Sequence, residues 1–75
     1  MGDLVKINAL DYEAKELFKI IREWSELTQD EFAKKINVSK GTVQNYEQGK
    51  RNYTFKSLME ICKKNNINII FEKKK

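Results

Sequence analysis

A close series of helix start and stop signals is the feature that most constrains how this chain can fold. Thr28 can cap a helix with its hydroxyl, and Glu31, three residues later, completes a capping box. Asn37 tolerates the left-handed backbone conformation that stops a helix and turns the chain sharply. Ser39 can then cap a second helix, which Gly49 would end. The series predicts two short helices joined by a tight turn.

These two helices separate their apolar residues from their polar ones. Phe32, Ala33 and Ile36 share one face of the first helix. Val43 and Tyr46 share one face of the second. The outer face of the second helix holds small, amide or basic side chains: Lys40, Gly41, Thr42, Gln44, Asn45 and Gln48. Such side chains suit the base edges and phosphates of a DNA major groove.

Short sequence elements continue this pattern into the chain that follows. They are Leu27-Thr28-Gln29, Glu31-Phe32-Ala33, Val38-Ser39, Thr42-Val43, Tyr46-Glu47, Gly49-Lys50-Arg51, Leu58-Met59, and Ile61-Cys62. The ordered set resembles the helix-turn-helix of phage-repressor-like DNA-binding domains, the Cro/cI or XRE type. The resemblance runs from about Leu17 to Ile67. It implies an all-α, four-helix, lambda-repressor-like fold.

A start signal at Asn8 predicts a further helix, ahead of this pair, from about Ala9 to Trp24. Its apolar residues are spaced for one helical face, which Phe18 and Ile20 widen: Leu10, Ala14, Leu17, Ile21 and Trp24. Trp24 has the chemistry of a base-stacking platform, but we interpret it as a core residue at the base of the helix.

Two further elements are predicted after the second helix of the pair. Thr54 can cap a fourth helix, whose apolar residues are Phe55, Leu58, Met59 and Cys62. Asn65 stands where the family prefers an apolar residue, so we expect this helix to fray early. The run from Ile67 to Glu72 is β-branched and partly alternating, which predicts a strand. A lone strand must pair, with the segment Leu4–Ile7, with the same strand of a second subunit, or with both.

The resemblance and the side-chain chemistry together assign residues that contact DNA. Thr28 and Gln29 match positions that contact phosphate, and the basic turn after the second helix would lay backbone amides and basic side chains on the backbone. Lys40 has the reach for a guanine or a phosphate, whereas Gln44 and Asn45 carry amides that can bond adenine N6 and N7. The full predicted set is Thr28, Gln29, Ser39, Lys40, Gly41, Thr42, Gln44, Asn45, Gln48, Lys50 and Arg51.

Two positions in this pattern have a special meaning. Gly41 stands where many relatives carry a polar residue that reads a base, so the helix can approach closely but has no side chain there to read one. The resemblance pairs Arg22 with Glu47. A guanidinium–carboxylate fork between them would lock the helix that ends at Trp24 to the second helix of the pair. The alternative is a surface arginine favoured by the helix dipole. We prefer the bridge, as a structural element.

The charge of the chain is unevenly distributed. The net charge of +4 divides into −4 over residues 1–33, +5 over residues 34–56 and +3 over residues 57–75. The positive charge therefore lies on and just after the second helix of the pair, about Ser39 to Gln48, which is the predicted recognition helix. A phosphate backbone would run there.

Composition argues against several other classes of protein. With no histidine and one cysteine, the chain has neither zinc-finger spacing nor a disulfide pair, which fits a reducing cytoplasm. No apolar run approaches a membrane span. Without histidine, a glycine-rich phosphate loop or room for a substrate pocket, we expect no enzyme and no cofactor.

These observations predict three parts and one leading function. Residues 9–66 would form the helix-turn-helix domain, residues 1–8 an N-terminal extension, and residues 67–75 a C-terminal strand with a basic tail. We expect a cytoplasmic, sequence-specific regulator of transcription that binds a palindromic operator on double-stranded DNA as a homodimer. The alternative is an antitoxin or accessory subunit that autoregulates its operon and binds a partner protein, such as a toxin or another regulator.

Overall fold

The structure, a computed structural model, describes residues 5–74, in which four α-helices follow one short 3-10 helix. The 3-10 helix is Ala9–Asp11, and the α-helices are α1 (Ala14–Trp24), α2 (Gln29–Ile36), α3 (Lys40–Gln48) and α4 (Phe55–Lys64). The predicted all-α, four-helix fold is confirmed. None of the helices in the described chain is long and apolar enough to cross a membrane.

The ends of α2 and α3 are set by local hydrogen bonds of the predicted kind. The Glu31 amide donates to Thr28 Oγ1 (3.1 Å), and the Thr28 amide donates to Glu31 Oε1 (2.9 Å), which closes a capping box. Asn37 ends α2 with φ 64° and ψ 46°. Ser39 then caps α3, and Gly49 ends it at φ 76°. A side chain at Gly49 would be strained by that φ and would lie 3.0 Å from Lys15 Cδ.

The core lies where α1, α2, α3 and α4 converge. Its buried residues are Phe18, Ile21, Phe32, Ala33, Ile36, Val43, Leu58, Ile61 and Cys62. The ring of Phe18 is fully buried and contacts three other aromatic rings, with centroids 5.6 Å from Phe32, 5.1 Å from Tyr46 and 5.3 Å from Tyr53. The Tyr53 hydroxyl also donates a hydrogen bond to the Ala14 carbonyl, which holds the loop after α3 against the start of α1.

The prediction that the helix ending at Trp24 begins at about Ala9 was wrong. Asn8 caps only the 3-10 helix, through a hydrogen bond from the Leu10 amide to Asn8 Oδ1 (3.0 Å). α1 begins five residues later than predicted, after a second capping box between Glu13 and Glu16. Leu10 is 92% exposed, because the short 3-10 helix does not lie against the core.

The buried face of α1 is also narrower than predicted, and it is centred on Phe18 and Ile21. Phe18 and Ile21 are buried, whereas Leu17 and Ile20 are only half-buried. Trp24 is 38% exposed, so its interpretation as a core residue was wrong. It occupies the last position of α1, and the buried residues of this helix lie in the turns before it.

The C-terminal segment forms no strand within the residues that the structure describes. Residues 67–74 follow α4 without regular secondary structure, and residues 5–7 likewise form no strand. Leu4 and Lys75 lie outside the described residues. α4 itself continues to Lys64, and Asn65 caps its end by donating from Nδ2 to the Ile61 carbonyl (2.8 Å).

Candidate nucleic-acid interface

The inner face of α3 determines which of its residues face outward. Val43 is fully buried, and Tyr46 packs against the core beside Phe18. The turn before α3 is fixed by a hydrogen bond from the Val38 amide to the Ala33 carbonyl (2.9 Å), and Val38 itself packs on the core. With these residues turned inward, the polar residues between them form the opposite face of α3.

The N-terminal half of α3 presents an open, polar surface. Ser39, Lys40 and Gly41 are exposed, and Thr42 is half-buried. The hydroxyls of Ser39 and Thr42 lie 2.9 Å apart, and Ser39 Oγ also accepts from the Thr42 amide, so both hydroxyls serve the helix cap. At Gly41, an added Cβ would meet only Ser39 Oγ, at 3.8 Å. This end of α3 therefore has room for a close approach by a ligand.

The middle and the end of α3 carry the predicted amide side chains. Gln44 and Asn45 are half-buried, and Gln48 is exposed. At the start of α2, Thr28 is exposed but its hydroxyl serves the capping box, whereas Gln29 is half-buried. Gln44 Nε2 lies 3.5 Å from Gln29 Oε1, so these two predicted site residues of different helices are brought together.

The basic turn after α3 differs in one respect from what the resemblance implied. The amides of Lys50 and Arg51 both donate to the Asn45 carbonyl, at 2.9 and 3.3 Å, so they close the end of the helix. Both side chains are exposed. The Arg51 guanidinium carbon lies 5.9 Å from the centroid of the Tyr46 ring, a cation–π distance. The side chains, and not these two amides, are therefore available for phosphate.

Arg22 and Glu47 form the ion pair that the resemblance implied. Arg22 Nε donates to Glu47 Oε2 (2.6 Å) and Nη2 donates to Glu47 Oε1 (3.1 Å), while Nη1 donates to the Leu27 carbonyl (3.0 Å). The hydrogen bond to Glu47 raises the pKa of the Arg22 guanidinium above its usual range, against the opposing effect of burial. The pair fixes α3 to α1.

One contact of this pair was not predicted from the sequence. Gln29 Nε2 donates to Glu47 Oε1 at 3.1 Å, so the first residue of α2 joins the ion pair. The two residues are 18 positions apart and belong to different helices, and no local pattern indicates the contact. The Glu47 carboxylate has about four acceptor sites, of which Arg22 fills two, but the donor that fills a further one depends on how α2 and α3 pack, so no sequence signal could have found it.

The described residues offer little basis for a metal site or a reactive cysteine. No group of three or more His, Cys, Asp or Glu side chains lies close enough to hold a metal ion there. Cys62 is buried in the core, as predicted, and burial raises the pKa of its thiol. A buried neutral thiol is a poor nucleophile.

Comparison with protein families identifies the family of the chain. A helix-turn-helix family model matches residues 18–71, which include most of α1 and all of α2, α3 and α4. The chain belongs to this helix-turn-helix family. Its members of the Cro/cI and XRE type are DNA-binding regulators, so the resemblance found in the sequence is confirmed. Double-stranded DNA is accordingly the partner of this helix-turn-helix domain.

Solved structures agree with the family. A chain in the HipA-HipB-O2-O3 complex is similar to this helix-turn-helix protein, with a TM-score of 0.61 and 27% identity. The comparison covers 96% of this chain and 100% of that chain. A chain described as MDT protein is similar to the same extent, with the same TM-score, identity and coverage. No curated protein matches the sequence.

Proposed function

We propose that the protein is a sequence-specific regulator of transcription that inserts the N-terminal half of α3 into the major groove of DNA. The observation that carries this proposal is the outward face of α3, which is polar and open over Lys40 and Gly41. A recognition helix that docks in this way must be held rigidly, and Val43 and the Arg22–Glu47 pair supply that support.

Residues on this surface divide into two chemical groups. Lys40, Lys50 and Arg51 are exposed cations, suited to phosphate oxygens at the two ends of α3. Gln44 and Asn45 carry amides that can both donate and accept, as recognition of adenine requires. The same interface would include Thr28, Gln29, Ser39, Gly41, Thr42 and Gln48.

We further propose that two copies bind a palindromic operator. One helix-turn-helix contacts only one half-site, and two half-sites about 34–36 Å apart would place both recognition helices on one side of the duplex. The C-terminal segment offers apolar surface for pairing, since Ile69, Ile70 and Phe71 are 38%, 74% and 83% exposed. We place the DNA-binding domain at residues 9–66 and the pairing segment within residues 67–75. Such a regulator would act in the cytoplasm.

Selection of bound sites from random duplex DNA tests this function. We expect enrichment of one motif with two-fold symmetry and half-sites one helical turn apart. A variant with both Gln44→Ala and Asn45→Ala provides the matched control, because it should keep binding DNA but lose much of the enrichment. Failure of the parent protein to enrich any motif would contradict the proposal.

A second function is favoured by one of the structural similarities. A chain of similar fold belongs to the HipA-HipB-O2-O3 complex, an assembly of several components. By analogy, this protein would be an antitoxin or accessory subunit that binds both its own operon and a partner protein. Co-expression with the product of the neighbouring gene tests this function. A stable complex that still binds the selected DNA supports it, and independent migration of the two proteins contradicts it.

A further inference from the structure

We propose that Glu47, acting through Gln29, sets the direction in which the Gln44 amide faces and thereby selects the base that Gln44 reads. This inference rests on the proposed function, because it assumes that α3 lies in the major groove. It makes Glu47 and Gln29 positioning residues for recognition, in addition to their structural role.

Four side chains from three helices form a hydrogen-bond relay, a continuous line of hydrogen bonds. Arg22 of α1 donates to both oxygens of Glu47, at 2.6 and 3.1 Å. Gln29 Nε2 of α2 donates to Glu47 Oε1 at 3.1 Å. Gln44 Nε2 of α3 lies 3.5 Å from Gln29 Oε1. The line runs from a nearly buried ion pair to the face of α3 that carries the amides.

The chemistry of the first two members fixes the direction of the line. A guanidinium only donates hydrogen bonds, and an ionised carboxylate only accepts them. The Glu47 side chain is only 5% exposed, so water competes little for its oxygens. Gln29 must therefore turn its NH₂ group towards Glu47, which leaves its oxygen for Gln44.

The same reasoning applies to the next amide. The two ends of a glutamine amide are nearly equal in size, so packing alone does not choose between the two directions. Because Gln29 offers an oxygen, Gln44 must answer with its NH₂ group. One N–H of Gln44 is then engaged, and Oε1 and the second N–H remain for a base.

The groups that remain determine which purine Gln44 recognises. An oxygen acceptor beside one N–H donor matches adenine, whose N6 amino group donates and whose N7 accepts. The reversed amide would present two N–H donors, which match guanine, because its O6 and N7 both accept. Glu47 does not touch DNA in this scheme, but its fixed acceptor character favours adenine over guanine.

Two substitutions test the line without changing the base-reading residue itself. Gln29→Met removes both polar groups of the Gln29 amide, the NH₂ group and the oxygen, and leaves the Arg22–Glu47 pair intact. Glu47→Gln replaces a group that only accepts by an amide that can donate to Gln29, so it permits the reversed line. Asp30→Asn is the matched control, since it makes the same charge change beside Gln29, and Asp30 contacts Lys34 instead (3.6 Å).

Selection from random duplex DNA is carried out with the parent, with Gln44→Ala and with each variant, using protein shown by circular dichroism to be folded. Gln44→Ala identifies the operator position that Gln44 reads. At that position we expect the parent to prefer adenine to guanine. Gln29→Met should lower the preference roughly 5-fold or more, Glu47→Gln should shift it towards guanine, and Asp30→Asn should leave it unchanged. In the Gln44→Ala background, Gln29→Met should have no further effect at that position.

The outcomes separate this inference from the function on which it rests. If the parent enriches no motif, the proposed function fails. If the parent enriches a motif and Gln29→Met keeps the adenine preference at the Gln44 position, the relay is wrong and the function stands. A change spread equally over all positions, or no position altered by Gln44→Ala, also overturns the relay. Should Glu47→Gln fail to fold, the Gln29→Met comparison decides alone.

Discussion

Arg22 and Glu47 lie 25 positions apart in the chain, yet two hydrogen bonds of 2.6 and 3.1 Å join them side by side. Their side chains are only 14% and 5% exposed. A third donor, Gln29 Nε2, shares the carboxylate. Since removal of either charged partner would leave the other in a place poor in water, the pair should matter more to stability than an exposed one.

The first prediction follows from that pair. Arg22→Met or Glu47→Leu should each lower the free energy of unfolding by roughly 2–3 kcal/mol, more than an exposed pair's ~0–1 kcal/mol. A double-mutant cycle in denaturant measures the coupling between the two. The exposed pair Asp30–Lys34 serves as the control and should show little coupling. Additive effects of the two substitutions would remove the bridge from the account of stability.

The second prediction concerns the basic turn after α3. Lys50→Ala or Arg51→Ala should weaken binding to all DNA sequences about equally, because the exposed side chains would contact phosphate and no base. The slope of log affinity against log salt should flatten by about one unit for each phosphate that the variant no longer neutralises. Lys63→Ala, at an exposed position outside the predicted interface, is the control. An affinity that does not depend on salt would exclude the electrostatic model.

The third prediction concerns base recognition. Gln44→Ala or Asn45→Ala should cost about 1–3 kcal/mol at one position of the operator and leave non-specific binding nearly intact. Titrations with matched and single-base-substituted duplexes measure this difference. In Asn45→Ala the backbone carbonyl that accepts from the Lys50 amide is kept, so the end of α3 should persist. If both variants kept the base preferences of the parent, the reading face would be assigned wrongly.

The fourth prediction concerns assembly. Ile69→Lys should yield monomers, because it places a charge in the exposed apolar segment that we propose for pairing. Affinity for a full palindrome should fall strongly, and affinity for one half-site should change little. Asn68→Lys adds the same charge at the adjacent exposed polar position and is the matched control. Sedimentation of the parent as a monomer even on a palindrome would defeat the dimer.

The fifth prediction concerns alkaline pH. Burial raises the pKa of the Cys62 thiol above its ordinary value of 9.0, so the unfolded chain loses that proton at a lower pH than the folded one. The free energy of unfolding should therefore decrease as pH rises through about 9 towards the pKa of the folded state. Denaturant unfolding between pH 7 and pH 10 measures this effect, and Cys62→Ala should show a weaker dependence. Tyr53, whose pKa burial also raises, would extend the decrease above pH 10.

The parts of the fold that could be predicted from sequence depend on neighbours in the chain. Thr28 with Glu31, Ser39 with Thr42, and the left-handed Asn37 all act within four residues, so the residue types themselves indicate the helix ends. The buried faces of α2 and α3 likewise follow from helical spacing, because both helices pack on one side.

The parts that could not be predicted depend on what lies across space. Leu10 has the right spacing for α1, but nothing in the sequence shows that its segment leaves the core. The contact of Gln29 with Glu47 is of the same kind, since it forms only after α2 and α3 have packed. The β-branched run from Ile67 to Glu72 predicts a strand, but a strand needs a pairing partner, and no strand forms within the described residues.

The Phe18 ring has a consequence for how the molecule opens. One side chain of α1 contacts rings from α2, from α3 and from the loop after α3, so none of these can detach without exposing the same buried ring. The backbone amides of α3 should therefore exchange with deuterium at the rate set by global unfolding, together with those of α1 and α2. α3 has only nine residues, and it would thus owe its persistence to the cooperativity of the whole domain.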